Sequence, residues 1–193
     1  MSELNKQNER LNFLLEGFRA DSKNYKDIKT PNDKDEKVRI LRSLMNIRMP
    51  GKMSDAIIKI QDEYLQECAN EKGIVKLSDI AIAKDNISIW QGDITRLKLD
   101  AIVNAANSQM LGCFIPMHTC IDNQIHTFAG VQLRDECNRK MNELRKIYGR
   151  NYEQPTAIPM LTDAYNLPAK KVIHIVGPIV DSRLTSKKEE PCL

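Results

Sequence analysis

Residues 92–112 read GDITRLKLDAIVNAANSQMLG, and their order decides the fold. A Gly92-Asp93 turn comes first, followed by Ala101-Ile102-Val103, a compact apolar segment suited to a strand buried on both faces. Asn104-Ala105-Ala106-Asn107 stands where such a strand would end. Downstream, Ile121, Ile125, Phe128, Ala129, Leu133 and Cys137 share one face of a helix, which predicts a single element of about five turns. Val172-Ile173-His174-Ile175-Val176, closed by Gly177-Pro178, reads as another buried strand, and Ile87, Ile89 and Trp90 upstream lie in a short β-type run. Strand, strand, helix, strand implies an α/β layer fold. In open α/β sheets ligands gather at strand ends, where Asp93, Asn104 and Asn107 fall.

Working outward, residues 1–77 form a helical segment and residues 78–193 the α/β unit. Leu11, Leu14, Leu15 and Phe18 mark a first helix, and the polar residues 21–35 with Pro31 a loop. Val38, Leu41, Leu44 and Met45 mark a second helix that Met49-Pro50-Gly51 stops. Ser54 and Asp55 cap a third, carrying Ile57, Ile60, Tyr64 and Leu65 until Lys72-Gly73. The 193 residues, 41% hydrophobic and 28% charged, suffice for one globular domain with an appendage. The net charge of +3 is spread, with 15 basic and 13 acidic side chains in residues 1–77 and 14 and 13 in the rest, so no concentrated basic face points to nucleic acid. No apolar run approaches the roughly 20 residues that cross a bilayer, and no membrane partner is expected. Five cysteines, an odd and scattered count, disfavour a disulfide framework and fit a reducing cytoplasm.

Residues 112–120, GCFIPMHTC, offer two thiolates and an imidazole within eight positions: Cys113, His118 and Cys120. That donor set suits Zn²⁺, and three protein ligands leave a tetrahedral position for a solvent or substrate oxygen, the arrangement of a Lewis acid. Simple burial of the cysteines is the competing reading. His126, Cys137, His174, Cys68 and Cys192 stand open as a fourth ligand. Asp93 is either a turn residue or an acceptor for an amino group or ribose hydroxyl. Asn104 and Asn107 are turn formers, or donor–acceptor pairs for vicinal hydroxyls. Asp122 falls in the first turn of a helix, where it complements the dipole or orients and deprotonates a water. His126, beside the apolar stripe, reads as a satisfied packing histidine.

Taken together, GDITRLKLDAIVNAANSQMLG, IDNQIHTFAGVQLRDEC (121–137) and TDAYNLPAKKVIHIVGP (162–178) resemble the macrodomain family of ADP-ribose binders and hydrolases. The GCFIPMHTC insert and the helical segment EKVRILRSLMNIRMPGKMSDAIIKIQDEYLQE (36–67) are similar to those of its bacterial zinc-dependent, sirtuin-linked subgroup. The resemblance implies a three-layer α/β/α sandwich with a central mixed, mostly parallel sheet, preceded by a helical N-terminal extension. It implies that Asp93 takes the adenine amino group with the Ile94 backbone beside it, that Asn107 holds the distal ribose, and that Asn104 braces the loop. Cys113, His118 and Cys120 would hold zinc, and Asp122 would be the acid near the distal ribose. The implied reaction removes single ADP-ribose units from modified proteins, among them a lipoyl-carrier protein, in a system with a sirtuin-like ADP-ribosyltransferase. Members of this kind normally continue past the VIHIVGP strand into a second phosphate-binding loop, so the resemblance also implies missing C-terminal strands and an uncovered strand at Val172–Val176. An ADP-ribose reader without turnover, or an inactive truncated relic, are the alternative readings.

Overall fold

The computed structural model describes residues 3–22, 24–82 and 84–179. Three helices come first: α1 (Glu3–Asp21), α2 (Lys34–Ile47) and α3 (Asp55–Lys72). Asp33 caps α2 by accepting from the Glu36 N–H, and Ser54 caps α3 by accepting from the Ile57 N–H, as its position before the apolar stripe predicts. Their apolar stripes meet in one hydrophobic cluster of Leu11, Leu14, Leu15, Phe18, Leu41, Leu44 and Leu65, which Val131 from the α/β unit joins.

A two-residue pairing of β1 (Val75–Lys76) with β2 (Leu97–Lys98) leads into the main sheet. That sheet has the order β3-β5-β4, built from β3 (Ala101–Ala106), β4 (Met160–Asp163) and β5 (Lys171–Val176). β3 and β5 are parallel, with Ala101 opposite Lys171 and Asn104 opposite His174, whereas β4 runs antiparallel to β5. A parallel pair needs a crossover, and α4 (Ile121–Ala129) and α5 (Val131–Tyr148) supply it, packing against β3 and β4. The fold is the expected α/β class with a mixed sheet. Ile102, Val172 and Met160 point inward to a second cluster with Ile125, Leu133 and Met141.

Four expectations are corrected. β5 is the central strand among the described residues, so Val172–Val176 is not an uncovered edge. The strand at Ala101–Val103 is buried on one face only, because Val103 is 53% exposed; Leu161 on β4 is likewise half exposed. The run at Ile87–Trp90 makes no strand: Ile87 closes an isolated bridge with Lys84, and Ile89 is 90% exposed. The five-turn helix is two helices, broken at Gly130. There φ is +94°, and an added Cβ would lie 2.6 Å from the Gln61 amide of α3, so the left-handed backbone and the close neighbour both require glycine.

Candidate functional site

The chemistry-bearing residues converge where β3 ends and α4 begins. Cys120 is the N-cap of α4 and its Sγ accepts from the Asn123 N–H, so the first-turn position expected for Asp122 holds. Cys113 Sγ lies 3.6 Å from His118 Nδ1, and the ligand atoms of Cys113, His118 and Cys120 all lie within 4.8 Å of one another. Burial raises the Cys120 thiol, and the Asn123 N–H opposes that shift. Two sulfurs and one imidazole nitrogen, close together and half open to solvent, fit a borderline-soft tetrahedral cation with one position left over.

Behind this loop lies a polar row. Asn104, fully buried on β3, donates from Nδ2 to Asp122 Oδ1 (2.8 Å) and to His174 Nδ1 (3.0 Å). The register puts Asn104 and His174 side by side on one sheet face, so the contact follows from strand pairing. Thr162 Oγ1 lies 3.0 Å from His174 Nε2, and Cys137 Sγ lies 3.8 Å from the same nitrogen. Asn107 Nδ2 donates to the Gly112 carbonyl (3.0 Å) and reaches Asp122 Oδ2 (3.4 Å). Asp122 therefore faces two amides and is itself buried; burial raises its carboxyl above the ordinary range, with Asn104 and Arg134 pulling the other way. The resemblance implies that Asn104 braces the loop; its side-chain bonds here go to Asp122 and His174 instead.

Asp93 caps the short 3-10 turn Ile94–Arg96, accepting from the Thr95 N–H (2.9 Å) and the Thr95 hydroxyl (2.6 Å). Its other oxygen lies 3.5 Å from Lys72 Nζ at the end of α3, which also stands over the Phe128 ring. Burial opposes the charge on Asp93, but the Thr95 and Lys72 contacts outweigh it and hold the carboxyl below its ordinary value. Asp93 is thus a turn residue, with Oδ1 held by Thr95 and Oδ2 paired with Lys72.

His126 packs against Gly112 but is not satisfied: both ring nitrogens are buried without a hydrogen-bond partner, and Nε2 lies 3.5 Å from Asp122 Oδ1. His126, Cys137 and His174 gather as a buried group of their own, and Cys68 lies in the helical segment beside Gln7. Cys192 lies outside the described residues. Residue patterns missed Arg134, whose guanidinium donates to the Leu111, Met45 and Arg48 carbonyls and stacks over Phe114. Burial pushes its pKa down to about 10, with Asp122 opposing. The one signal for it was a charged residue next to Leu133 on an apolar stripe. A cleft of about 560 Å³ between α1 and α3, lined by Arg10, Phe13 and Glu63, holds none of these groups.

A family profile described as the macro domain matches residues 103–192. A protein-ADP-ribose hydrolase of Treponema medium is 47% identical over 185 residues, covering 94% of this chain and 69% of the relative. The chain belongs to the macro domain family. Within it, this macrodomain falls with the protein-ADP-ribose hydrolases: one from Staphylococcus aureus is 39% identical over 194 residues, covering 100% of this chain and 70% of the relative. Among solved structures, a Trypanosoma brucei macrodomain in complex with ADP is 24% identical, with a TM-score of 0.49 over 80% of this macrodomain and 65% of that chain. An Oceanobacillus iheyensis macrodomain with ADP is 35% identical, with a TM-score of 0.42, and is spanned over 47% of its length. No helix among the described residues is long and apolar enough to cross a membrane.

Proposed function

We propose that this macrodomain hydrolyses the glycosidic bond between ADP-ribose and a modified protein, with Zn²⁺ held by Cys113, His118 and Cys120. The observation that carries the reading is the hydrogen-bonded set Asn104–Asp122–Asn107 at the mouth of α4, directly beside that donor set. Relatives named protein-ADP-ribose hydrolase at 39% and 47% identity support it. When bound, the ion would supply Lewis-acid stabilisation of charge developing at the distal ribose.

The chain's own groups do the rest. Asp93 accepts from the adenine amino group through Oδ2, the oxygen that Lys72 holds at the long distance of 3.5 Å, and the Ile94 backbone lies beside it. Asn107 orients the distal ribose hydroxyls. Hydrolysis adds water across the ribose C1 bond to the N- or O-linked side chain. As the new C–O bond forms and the old bond breaks, Asp122 takes one proton from the attacking water and returns a proton to the departing side chain, so that the two hydrogens of the water end on the C1 hydroxyl and on the released side chain and the carboxylate is regenerated. A carboxyl raised by burial is better matched to proton transfer near neutral pH than an exposed one. The all-free cysteines among the described residues support a cytoplasmic setting, where a lipoyl-carrier protein modified by a sirtuin-like transferase is the proposed substrate.

The test is release of free ADP-ribose from a mono-ADP-ribosylated protein. Asp122→Asn is expected to slow release about 100-fold or more, with ADP-ribose binding retained. Cys113→Ala or His118→Ala is expected to remove bound metal and activity together; full activity without metal would sink the zinc assignment. Binding with no release by the wild type would leave a reader.

A further inference from the structure

The loop that carries Cys113, His118 and Cys120 pairs with no strand, so its backbone polar groups need partners elsewhere. The Cys113 and Ile115 carbonyls accept from Asn123 Nδ2 at 3.3 and 3.0 Å. The Met117 N–H donates to Asn46 Oδ1 at 3.0 Å, and the His118 carbonyl accepts from Arg42 Nη2 at 2.8 Å. Arg42 Nη2 also donates to Asn123 Oδ1 at 2.9 Å, while Asn46 Nδ2 donates to Thr127 Oγ1 at 2.8 Å. Arg42 and Asn46 stand four residues apart on α2, hence on one face. Asn46 is 1% exposed. Met117, immediately before His118, has φ +58°, a conformation that non-glycine residues rarely adopt and that persists when the surroundings hold it.

We propose that Asn46 and Arg42 of α2, joined through Thr127 and Asn123, are positioning residues that clamp this loop from the helical extension, so that the three ligand side chains converge before a metal arrives. The inference rests on the metal reading above. Neither residue hydrogen-bonds a ligand atom, although the Arg42 charge also lies close enough to act on the Cys120 thiol; their hydrogen bonds go to the backbone on either side of the Met117–His118 peptide bond. A site whose loop is already ordered loses little freedom on binding, whereas an unclamped loop must be ordered by the ion itself. The helical extension is then a part of the metal site and not a separate appendage.

The test uses the full chain, with Zn²⁺ titrated against a chromophoric chelator and Co²⁺ absorption reporting the coordination geometry. Asn46→Ala and Arg42→Ala are expected to weaken Zn²⁺ binding about 10- to 100-fold, the range found for groups that orient ligands. Asn46→Asp keeps an acceptor opposite the Met117 N–H and is expected to recover most of the loss. Gln61→Ala is the control, because this buried amide bonds Val131 and Gln132 at the same boundary without touching the loop. It is expected to bind Zn²⁺ as the wild type does. Wild-type affinity in both alanine variants, with binding abolished by Cys113→Ala, overturns the clamp and leaves the metal reading standing. Equal weakening by Gln61→Ala also overturns the clamp, since general loosening then explains the effect. No uptake by the wild type overturns both. If Asn46→Ala fails to fold, the half-buried Arg42→Ala decides alone.

Discussion

His174 shows how much one side chain can tie to pH. Its Nδ1 faces the Asn104 amide donor, so Nδ1 is the acceptor and Nε2 carries the hydrogen toward Thr162. The ring is neutral and fully buried, and burial pushes its pKa down to about 4 from 6.5. Because the folded value is the lower one, this contribution to stability is complete above pH 6.5 and is lost as pH falls toward 4, by about 3 kcal/mol in total. His126, depressed in the same direction, adds to the slope; Asp122, raised by burial, opposes it, since its contribution declines as pH rises. Urea midpoints at pH 7.5 and 4.5 should therefore differ strongly for the wild type and much less for His174→Gln. Asp93 is tested by affinity: Asp93→Ala is expected to weaken calorimetric ADP-ribose binding about tenfold, near the worth of one charge-assisted hydrogen bond. Unchanged affinity would reduce Asp93 to its turn.

Among the elements, the break between α4 and α5 makes the sharpest prediction. Gly130→Ala should cost about 2 kcal/mol from its left-handed φ and the crowding at Gln61, seen as a lower urea midpoint. The same break marks the limit of what sequence patterns tell. Apolar spacing from Ile121 to Cys137 is continuous through Gly130, and the neighbours that crowd it, Gln61 on α3 and Asn166, come from distant parts of the chain. The start of α4, the Asp122 position and the gathering of Cys113, His118 and Cys120 are legible because they are local in sequence. β4 is not: its four residues alternate around an inward Thr162 that reads as polar. Ile87 and Ile89 carry strand-forming side chains, yet burial depends on a partner that pattern alone does not supply. Asn46, Arg42 and Arg134 read as ordinary polar helix residues, and their bonds exist only once α2 lies against α4 and α5.

At the scale of the whole molecule, two hydrophobic clusters are joined by a polar boundary. Arg134 ties the end of α2 to Leu111, Asp135 accepts from the Gly51 N–H, and Asn166 bonds Asp62. Such a boundary predicts one cooperative transition in urea, with Trp90 fluorescence and far-UV circular dichroism superimposed. Arg134→Met leaves buried carbonyls unpaired, about 3 kcal/mol of damage, and should pull the two curves apart. The sheet order sets the tempo of assembly. Contacts within α1–α3 close inside residues 3–72, whereas β3 waits for a strand 70 positions later, from Ala101 to Lys171. Long closures are slow. Asn104, held by His174 on that late strand, cannot brace Asp122 until the pairing forms. In refolding, helix signal should recover well before catalytic competence, so the youngest part of each newly folded molecule is its proposed active site.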